Sequence, residues 1–204
     1  MDDRSDILQK VGVIVFETGV KSLTMDTIAK KLGRSKKTLY KHFGDKEELI
    51  SLAVMHRLSA ITTAAEKLTP DTMNAIDKGV AIHKMMRNLL SVYNSHIFME
   101  LKNCFPETYD QVNRWKKEQF FQGMIEHLDE GQQQGLYRED LNIEVVAKFY
   151  QAQMLLTFNP EFDVLSEREV KSMDILKEAL DYHLRAICTE KGIEYYKRVK
   201  SELK

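Results

Sequence analysis

The 204-residue sequence predicts an all-helical fold. Apolar residues recur at spacings of three and four, as in Leu176, Leu180 and Leu184, which is the period of one face of a helix. No stretch alternates apolar and polar residues between hairpin turns, so strands are not expected. The three prolines stand in turn-like contexts, where they are expected to end helices.

Start and stop signals divide the chain into its predicted helices. Thr24 and Ser35 are favourable N-caps, and Gly33 suits the residue that follows a helix. Glu47 and Glu48 stand in the first turn of the fourth helix, where the helix dipole favours acids. The helices are expected at about residues 5–17, 24–33, 35–42, 46–67, 72–104 (with a break near Asn94 as an alternative), 107–134, 143–158 and 166–190.

The charge of the chain is unevenly distributed. The net charge is −1, yet residues 21–46 contain eight Lys or Arg against two Asp, so this segment carries +6 and the remainder −7. A concentrated basic segment in a near-neutral protein favours local contact with a polyanion. A solvated, charge-rich helix face would explain the charge equally well.

Several classes of protein are not expected. Apolar runs fall far short of the ~20 residues that span a bilayer, and the acidic N-terminus lacks the apolar region of a secretory signal. Cys104 and Cys188 lie too far apart for a C-x-x-C pair, which fits a reducing cytoplasm. The six histidines are scattered, and no zinc, nucleophile-elbow or phosphate-loop motif occurs. We therefore expect a cytoplasmic protein that is not an enzyme and has no cofactor or metal.

The second and third predicted helices form a helix-turn-helix. They are short and joined by a turn of three or four residues that contains Gly33. Apolar side chains would face a small core shared with the first helix, where Ala29 allows a close crossing; these are Ile7, Leu8, Val11, Ile14, Val15, Ile28, Ala29, Leu32, Leu39 and Phe43. Cations and hydroxyls remain on the outer face of the third helix, which suits phosphates and base edges.

The segment 24–49, TMDTIAKKLGRSKKTLYKHFGDKEEL, resembles the DNA-binding motif of TetR-family (tetracycline-repressor-like) transcriptional regulators. The preceding Phe16-Glu17-Thr18-Gly19 is similar to the family's entry into this motif. The resemblance covers about the first 50 residues. Two positions depart from the family pattern: Arg34 replaces a small apolar residue, and Lys37 replaces Gly or Ala. Both add charge at the predicted DNA surface, so the operator sequence cannot be transferred.

The resemblance implies a homodimer that inserts its third helices into the major groove of double-stranded DNA. It divides the chain into a helix-turn-helix domain (residues 1–46) and a helical ligand-binding and dimerisation domain (residues 47–204). Thr24, Thr27, Tyr40 and Lys46 would contact phosphates. Bases or backbone would be contacted by Lys36, Lys37, Thr38 and Lys41, and the remaining candidates are Arg34, Ser35 and His42. Tyr40 and His42 have packing roles as alternatives.

The C-terminal region allows two further expectations. Methionines and aromatics suit an adaptable ligand cavity, although plain core is the alternative for each of them; the candidates are Met85, Met86, Leu89, Tyr93, Phe98, Trp115, Phe120, Phe121, Met124 and Phe149. The last predicted helices carry wide apolar faces that need covering by a second subunit or by the same chain. The candidate dimer residues are Val146, Tyr150, Leu176, Leu180, His183, Leu184 and Ile187.

The expected function is that of a transcriptional regulator. The resemblance favours a repressor that an apolar or amphipathic small molecule releases from an inverted-repeat operator. Control by a protein partner is the alternative, and an enzyme is a distant third. An enclosed apolar cavity in the middle of the chain would favour the small molecule, whereas a filled core would favour the protein partner.

Overall fold

The protein is all-helical, as predicted. The structure, a computed structural model, describes residues 2–92, 96–158, 164–166, 169 and 174–200. Its helices are α1 (Asp3–Thr18), α2 (Met25–Leu32), α3 (Lys36–His42), α4 (Lys46–Leu68), α5 (Ala75–Val92), α6 (Ile97–Cys104), α7 (Pro106–Trp115), α8 (Phe121–Gln133), α9 (Ile143–Phe158), α10 (Asp174–Ile187) and α11 (Glu190–Val199). A π-helical turn, Lys116–Phe120, joins α7 to α8. Within the described residues, extended pairing is limited to an isolated bridge between Tyr137 and Cys188.

The predicted boundaries hold best in the N-terminal part of the chain. There α1 to α4 lie within a few residues of the expected ranges. The stretch 72–104 contains α5 and α6, in line with the alternative of a break, although Asn94 itself lies outside the described residues. The last predicted helix, 166–190, was wrong at its C-terminal end: α10 ends at Ile187, and the unpredicted α11 follows. Thr189 explains the restart, because its side chain accepts a hydrogen bond from the Gly192 N–H.

The chain packs as two compact units. The first unit contains Met1–Ala64 and Val92–Arg114, and the second contains Ala65–Ser91 and Trp115–Lys204. This division follows packing, whereas the predicted boundary after residue 46 divides the chain by function and stays a prediction. None of the described helices is both long and apolar enough to cross a membrane.

The core of the first unit lies among α1, α2, α3 and α4. It buries nearly all of the apolar residues predicted for the three-helix core, with Ile14 and Leu32 only half-buried. A Cβ at Gly12 of α1 would lie 2.8 Å from the carbonyl oxygen of Ala53 in α4. The absence of a side chain at Gly12 therefore lets α1 approach α4 closely, which supports the helix-turn-helix from behind.

The second unit has a separate apolar core. It is formed by buried residues of α5, α8, α9, α10 and α11 together with Leu136 and Tyr137 from the loop after α8. The ring of Tyr137 occupies the space that a Cβ at Gly131 would take. Glycine is therefore required at that position of α8 for the loop to fold back onto the helix.

Candidate nucleic-acid interface

Local capping defines the helix-turn-helix. Thr24 caps α2 by accepting a hydrogen bond from the Thr27 N–H at 3.1 Å. Gly33 ends α2 in the left-handed conformation with φ 63°, and its N–H is bonded to the last turn of the helix. Ser35 then caps α3 by accepting from the Thr38 N–H at 3.0 Å. Because these caps fix both ends of a three-residue turn, the orientation of α3 relative to α2 is set locally.

The predicted hydroxyl contacts have a structural task in this motif. The Thr27 oxygen accepts from the Thr24 N–H at 2.8 Å, so the two threonines cap each other. The Ser35 and Thr38 hydroxyl oxygens lie 2.8 Å apart. A hydroxyl carries one donor and two acceptor positions, so each group retains capacity for a further partner. Their predicted role in binding phosphate or base is thus compatible with their role as caps.

The outer face of α3 carries exposed side chains that suit DNA. Lys37 and Lys41 are exposed, and Tyr40 between them has 49% of its surface accessible. Within the part of the chain that the structure describes, these three side chains form no hydrogen bond or ion pair. Their cations and phenol are therefore available to an external anion. Leu39, on the opposite face of the same helix, is fully buried.

Three other predicted contacts are paired with acids of the same unit. Lys36 Nζ lies 2.8 Å from Asp26 Oδ2, and this hydrogen bond raises the pKa of Lys36. Arg34 lies 2.7 Å from Asp3, and His42 Nε2 lies 3.2 Å from the other oxygen of the same carboxyl group. These side chains thus have internal partners that a DNA phosphate would have to replace.

Lys46 differs from the other candidates because it turns inward. It is half-buried, its ammonium lies 3.4 Å from the carbonyl oxygen of Val20, and it stands 5.3 Å from the centre of the Phe105 ring. Its location at the start of α4 agrees with the expectation. The ammonium must leave Val20 and Phe105 to reach a phosphate, and its predicted role stays a prediction.

Glu100 of α6 is a residue that sequence reasoning did not assign. Its carboxylate accepts hydrogen bonds from the N–H groups of Val20 and Lys21 at 2.7 and 3.0 Å. This contact ties α6 to the loop that precedes α2. Because the partners are about 80 positions apart, no local signal could have indicated it.

A cleft of about 250 Å³ lies elsewhere in the first unit, between the start of α4 and α7. Its lining is polar and mostly acidic: Asp45, Glu47, Glu48, Ser51, Glu107, Thr108 and Gln111. Two of the acids already serve the backbone, since Asp45 accepts from the Glu48 N–H and Glu48 accepts from the Gly44 N–H. Among the described residues, no group of three His, Cys, Asp or Glu side chains is arranged to hold a metal ion.

Comparison with known proteins gives a family to this helix-turn-helix. Residues 14–53 match the family model described as bacterial regulatory proteins, tetR family. The helix-turn-helix is that of the TetR family. The chain thus joins the N-terminal DNA-binding motif of TetR-family transcriptional regulators to further helices after it. No curated protein matches the chain in sequence.

Solved structures of the family share the fold across nearly the whole chain. A regulator from Saccharomonospora viridis, solved in complex with choline, is 17% identical, with a TM-score of 0.70 over 92% of this chain and 98% of that one. CprB from S. coelicolor A3(2) is 16% identical, with a TM-score of 0.68 over 98% and 95%. The fatty acid degradation regulator FadR from Bacillus halodurans is 15% identical, with a TM-score of 0.66 over 90% and 96%. At these identities the similarity establishes the fold alone.

The predicted ligand-pocket residues are divided between the two units. Most of the described candidates are half-buried in the second unit. Phe98 belongs to the first unit, where it packs edge-on against Phe16 with ring centres 6.3 Å apart. Phe149 is 71% exposed on the outer face of α9. Tyr93 lies outside the described residues. The predicted ligand pocket stays a prediction.

Much of the predicted dimer face is covered within the single chain. Four of its residues are between 1% and 5% exposed and pack inside their own chain: Leu176, Leu180, Leu184 and Ile187. Of the two alternatives for covering this apolar face, the same chain is the one realised. Val146, Tyr150 and His183 are half-buried. The large apolar side chains left exposed on α9 and α10 are instead Val145, Phe149 and Tyr182, at 40%, 71% and 71%.

Two half-buried histidines stand beside tyrosines in the second unit. His127 Nε2 lies 3.0 Å from the hydroxyl of Tyr137, and the His183 ring lies 4.3 Å from that of Tyr150, between centres. Burial lowers the pKa of His127 and of His183 to about 4. Burial also raises the pKa of Tyr150 to about 12. These groups are therefore uncharged at neutral pH.

Proposed function

We propose that this TetR-family regulator is a repressor that binds an inverted-repeat DNA operator as a homodimer and is released by a small molecule. The observation that carries the proposal is the outer face of α3, where Lys37, Tyr40 and Lys41 are exposed beside one another on a capped helix-turn-helix. A helix with such a face fits the major groove, and two-fold symmetry of the protein requires two-fold symmetry of the operator.

The proposed contacts divide into two kinds. Lysines and the Tyr40 hydroxyl neutralise or bond phosphates, which supplies affinity and salt dependence. Side chains of α3 that reach base edges supply the sequence preference. The candidates remain those named from the sequence, and the exposed Lys37 and Lys41 need no internal bond to be broken before they act.

The proposed dimer uses the exposed apolar side chains of α9 and α10. Val145 and Phe149 stand four residues apart on α9, which is the spacing of one helix face. Tyr182 of α10 is as exposed as Phe149. Burial of such side chains against a second subunit would remove apolar surface from water, which is the main driving force for association.

Release by a ligand requires that binding favours a conformation with misplaced recognition helices. A coupling of ~1–3 kcal/mol between the two sites lowers operator affinity roughly 5- to 150-fold. Two features support such coupling: α4 contributes residues to both units, and Glu100 ties α6 to the loop before α2. That a regulator of similar fold was solved with choline supports a small-molecule effector, proposed here as apolar or amphipathic.

Control by a protein partner is the second candidate. It is favoured by Phe149, a predicted pocket residue whose side chain is 71% exposed on α9 and therefore not enclosed in a cavity of its own chain. The two candidates differ in what must be added to release DNA. A small-molecule effector would release DNA from the purified protein alone. If a protein partner is required instead, the purified protein–DNA complex would not respond to metabolite mixtures.

The direct test is selection of bound duplexes from a random DNA library by the purified protein, followed by release with fractionated small molecules. The proposal expects an enriched duplex and at least one fraction that weakens its binding. Failure to enrich any duplex would contradict DNA binding. Enrichment without release by any small-molecule fraction would favour the protein partner.

A further inference from the structure

The first turn of α1 holds two side chains of the predicted DNA face. Arg34, from the turn before α3, places a guanidinium nitrogen 2.7 Å from Asp3 Oδ1. His42, the last residue of α3, places Nε2 3.2 Å from Asp3 Oδ2. A single carboxylate therefore binds residues from both ends of the recognition helix. Arg34 is also one of the two positions at which the motif departs from its family pattern.

The Asp3–Arg34 ion pair is exposed to solvent and can therefore break easily. Their side chains are 39% and 38% exposed, so water competes for both charges. An exposed ion pair of this kind holds its partners only weakly. A guanidinium bonds phosphate with the same forked geometry that it uses for carboxylate, so a DNA phosphate is a chemically equivalent partner for Arg34.

His42 helps to compensate Asp3 for the loss of Arg34 to a phosphate. When Arg34 departs, the carboxylate keeps a neighbour, because His42 approaches its other oxygen. Asp6 lies 3.6 Å from Arg34, but its carboxylate is bonded to Lys10 at 2.9 Å. Asp3 is thus the main internal competitor for the Arg34 guanidinium.

We propose that Asp3 is an internal competitor of the DNA backbone that lowers DNA affinity by occupying Arg34. In the DNA-bound state Arg34 leaves Asp3 for a phosphate, and the contact with Asp3 must be broken each time DNA binds. Because phosphates carry no sequence information, Asp3 sets the strength of binding and leaves the sequence preference unchanged. This inference rests on the DNA binding proposed above.

The test compares Asp3→Asn with Asp2→Asn. The second variant removes the same charge one residue earlier, from an exposed side chain that makes no capping bond in the described structure. The probe is a fluorescein-labelled mixed-sequence duplex of about 30 base pairs, roughly three helical turns. Dissociation constants from fluorescence anisotropy are measured between about 50 and 200 mM salt, the range over which phosphate contacts change affinity strongly.

Asp3→Asn is expected to bind about two- to five-fold more tightly than Asp2→Asn, which is the strength of an exposed ion pair expressed as affinity. Its log–log salt slope should equal that of the parent, because Arg34 reaches the same phosphate in both. Arg34→Ala should make the slope shallower by about one unit. In the Arg34→Ala background, Asp3→Asn should raise DNA affinity by no more than Asp2→Asn does in the parent, because Asp3 then has no guanidinium to release.

Two results would overturn the inference. Binding by Asp3→Asn that is no tighter than binding by Asp2→Asn would show that Asp3 only orients α3. An unchanged salt slope in Arg34→Ala would show that Arg34 meets no phosphate, and this result stands even where Asp3→Asn proves unstable by circular dichroism. A parent protein that binds no duplex would instead refute the proposed function, and the inference with it.

Discussion

Thr24 and Thr27 cap the first turn of α2 reciprocally: each hydroxyl oxygen accepts a hydrogen bond from the other residue's backbone N–H. The same two hydroxyls are predicted to contact DNA phosphates. Structure and function are therefore joined in one pair of side chains, and a substitution there has to be tested for folding before it is interpreted as a loss of DNA contact.

Thr24→Ala is expected to lower the free energy of unfolding by about 1 kcal/mol, the usual cost of removing a helix N-cap. The loss arises because the Thr27 N–H is left without its partner. Urea unfolding followed by circular dichroism measures the change. Thr62→Ala is the matched control, since Thr62 lies inside α4 and bonds only the Leu58 carbonyl oxygen. Equal stability of Thr24→Ala and the parent would show that the cap contributes nothing.

Lys46→Ala is expected to make the log–log salt slope of DNA binding shallower by about one unit, because one phosphate contact is lost. The ammonium first has to leave the Val20 carbonyl and the Phe105 ring, so its contact forms only on the DNA. Lys67→Ala, at the other end of α4, is the control and should leave the slope unchanged. Identical slopes for both variants and the parent would exclude Lys46 from the phosphate contacts.

Charged substitutions should separate the dimer face from the core of the second unit. Phe149→Glu is expected to give folded monomers in sedimentation, because Phe149 is exposed in the single chain. Leu184→Glu is expected to give unfolded or insoluble protein, because Leu184 is 1% exposed and an unpaired buried charge is costly. A Phe149→Glu variant that sediments as a dimer would place the interface elsewhere.

Stability of the second unit should decrease on acidification. Burial lowers the pKa of His127 to about 4, so the unfolded chain binds a proton near pH 6.5 that the folded chain does not. The contribution of neutral His127 to the free energy of unfolding is thus fully present above about pH 6.5. It is lost as the pH falls toward 4, by at most roughly 1.4 kcal/mol per pH unit. Unfolding in urea is followed by the fluorescence of Trp115, the one tryptophan, which belongs to this unit.

His127→Gln should show a weaker dependence on pH than the parent, since one of the protons taken up on unfolding is removed. His96→Gln is the control, because His96 is exposed. If stability depends on pH to the same extent in His127→Gln as in the parent, burial does not keep the His127 imidazole neutral in the folded chain.

The parts of the structure that the sequence could predict are those fixed by neighbours in the chain. Thr24, Gly33 and Ser35 act within four residues of themselves, so the helix-turn-helix and the exposed face of α3 follow from local patterns. Periodicity also identified the apolar face that contains Leu184. It could not identify what covers that face, because the covering residues come from distant helices such as α5 and α8.

Contacts between distant residues account for most of what was missed. The bond of Glu100 to Val20, and the occupation of Arg34 by Asp3, join positions whose spacing has no periodic meaning. An aromatic residue likewise carries no sign of which unit it will enter, so the sequence could not show that Phe98 packs against Phe16 in the first unit. Composition shows that such residues are present but not which distant residues they contact.

Hydroxyl-radical footprinting of the duplex selected from the random library tests the central claim most directly. A dimer with one α3 in each of two successive major grooves requires half-sites about 34–36 Å apart on one face of the duplex. The account predicts two protected segments related by an inverted repeat at that spacing, both weakened together by Lys37→Ala because each subunit presents the same residue. A protected site without two-fold symmetry, or one half-site weakened alone, would contradict it.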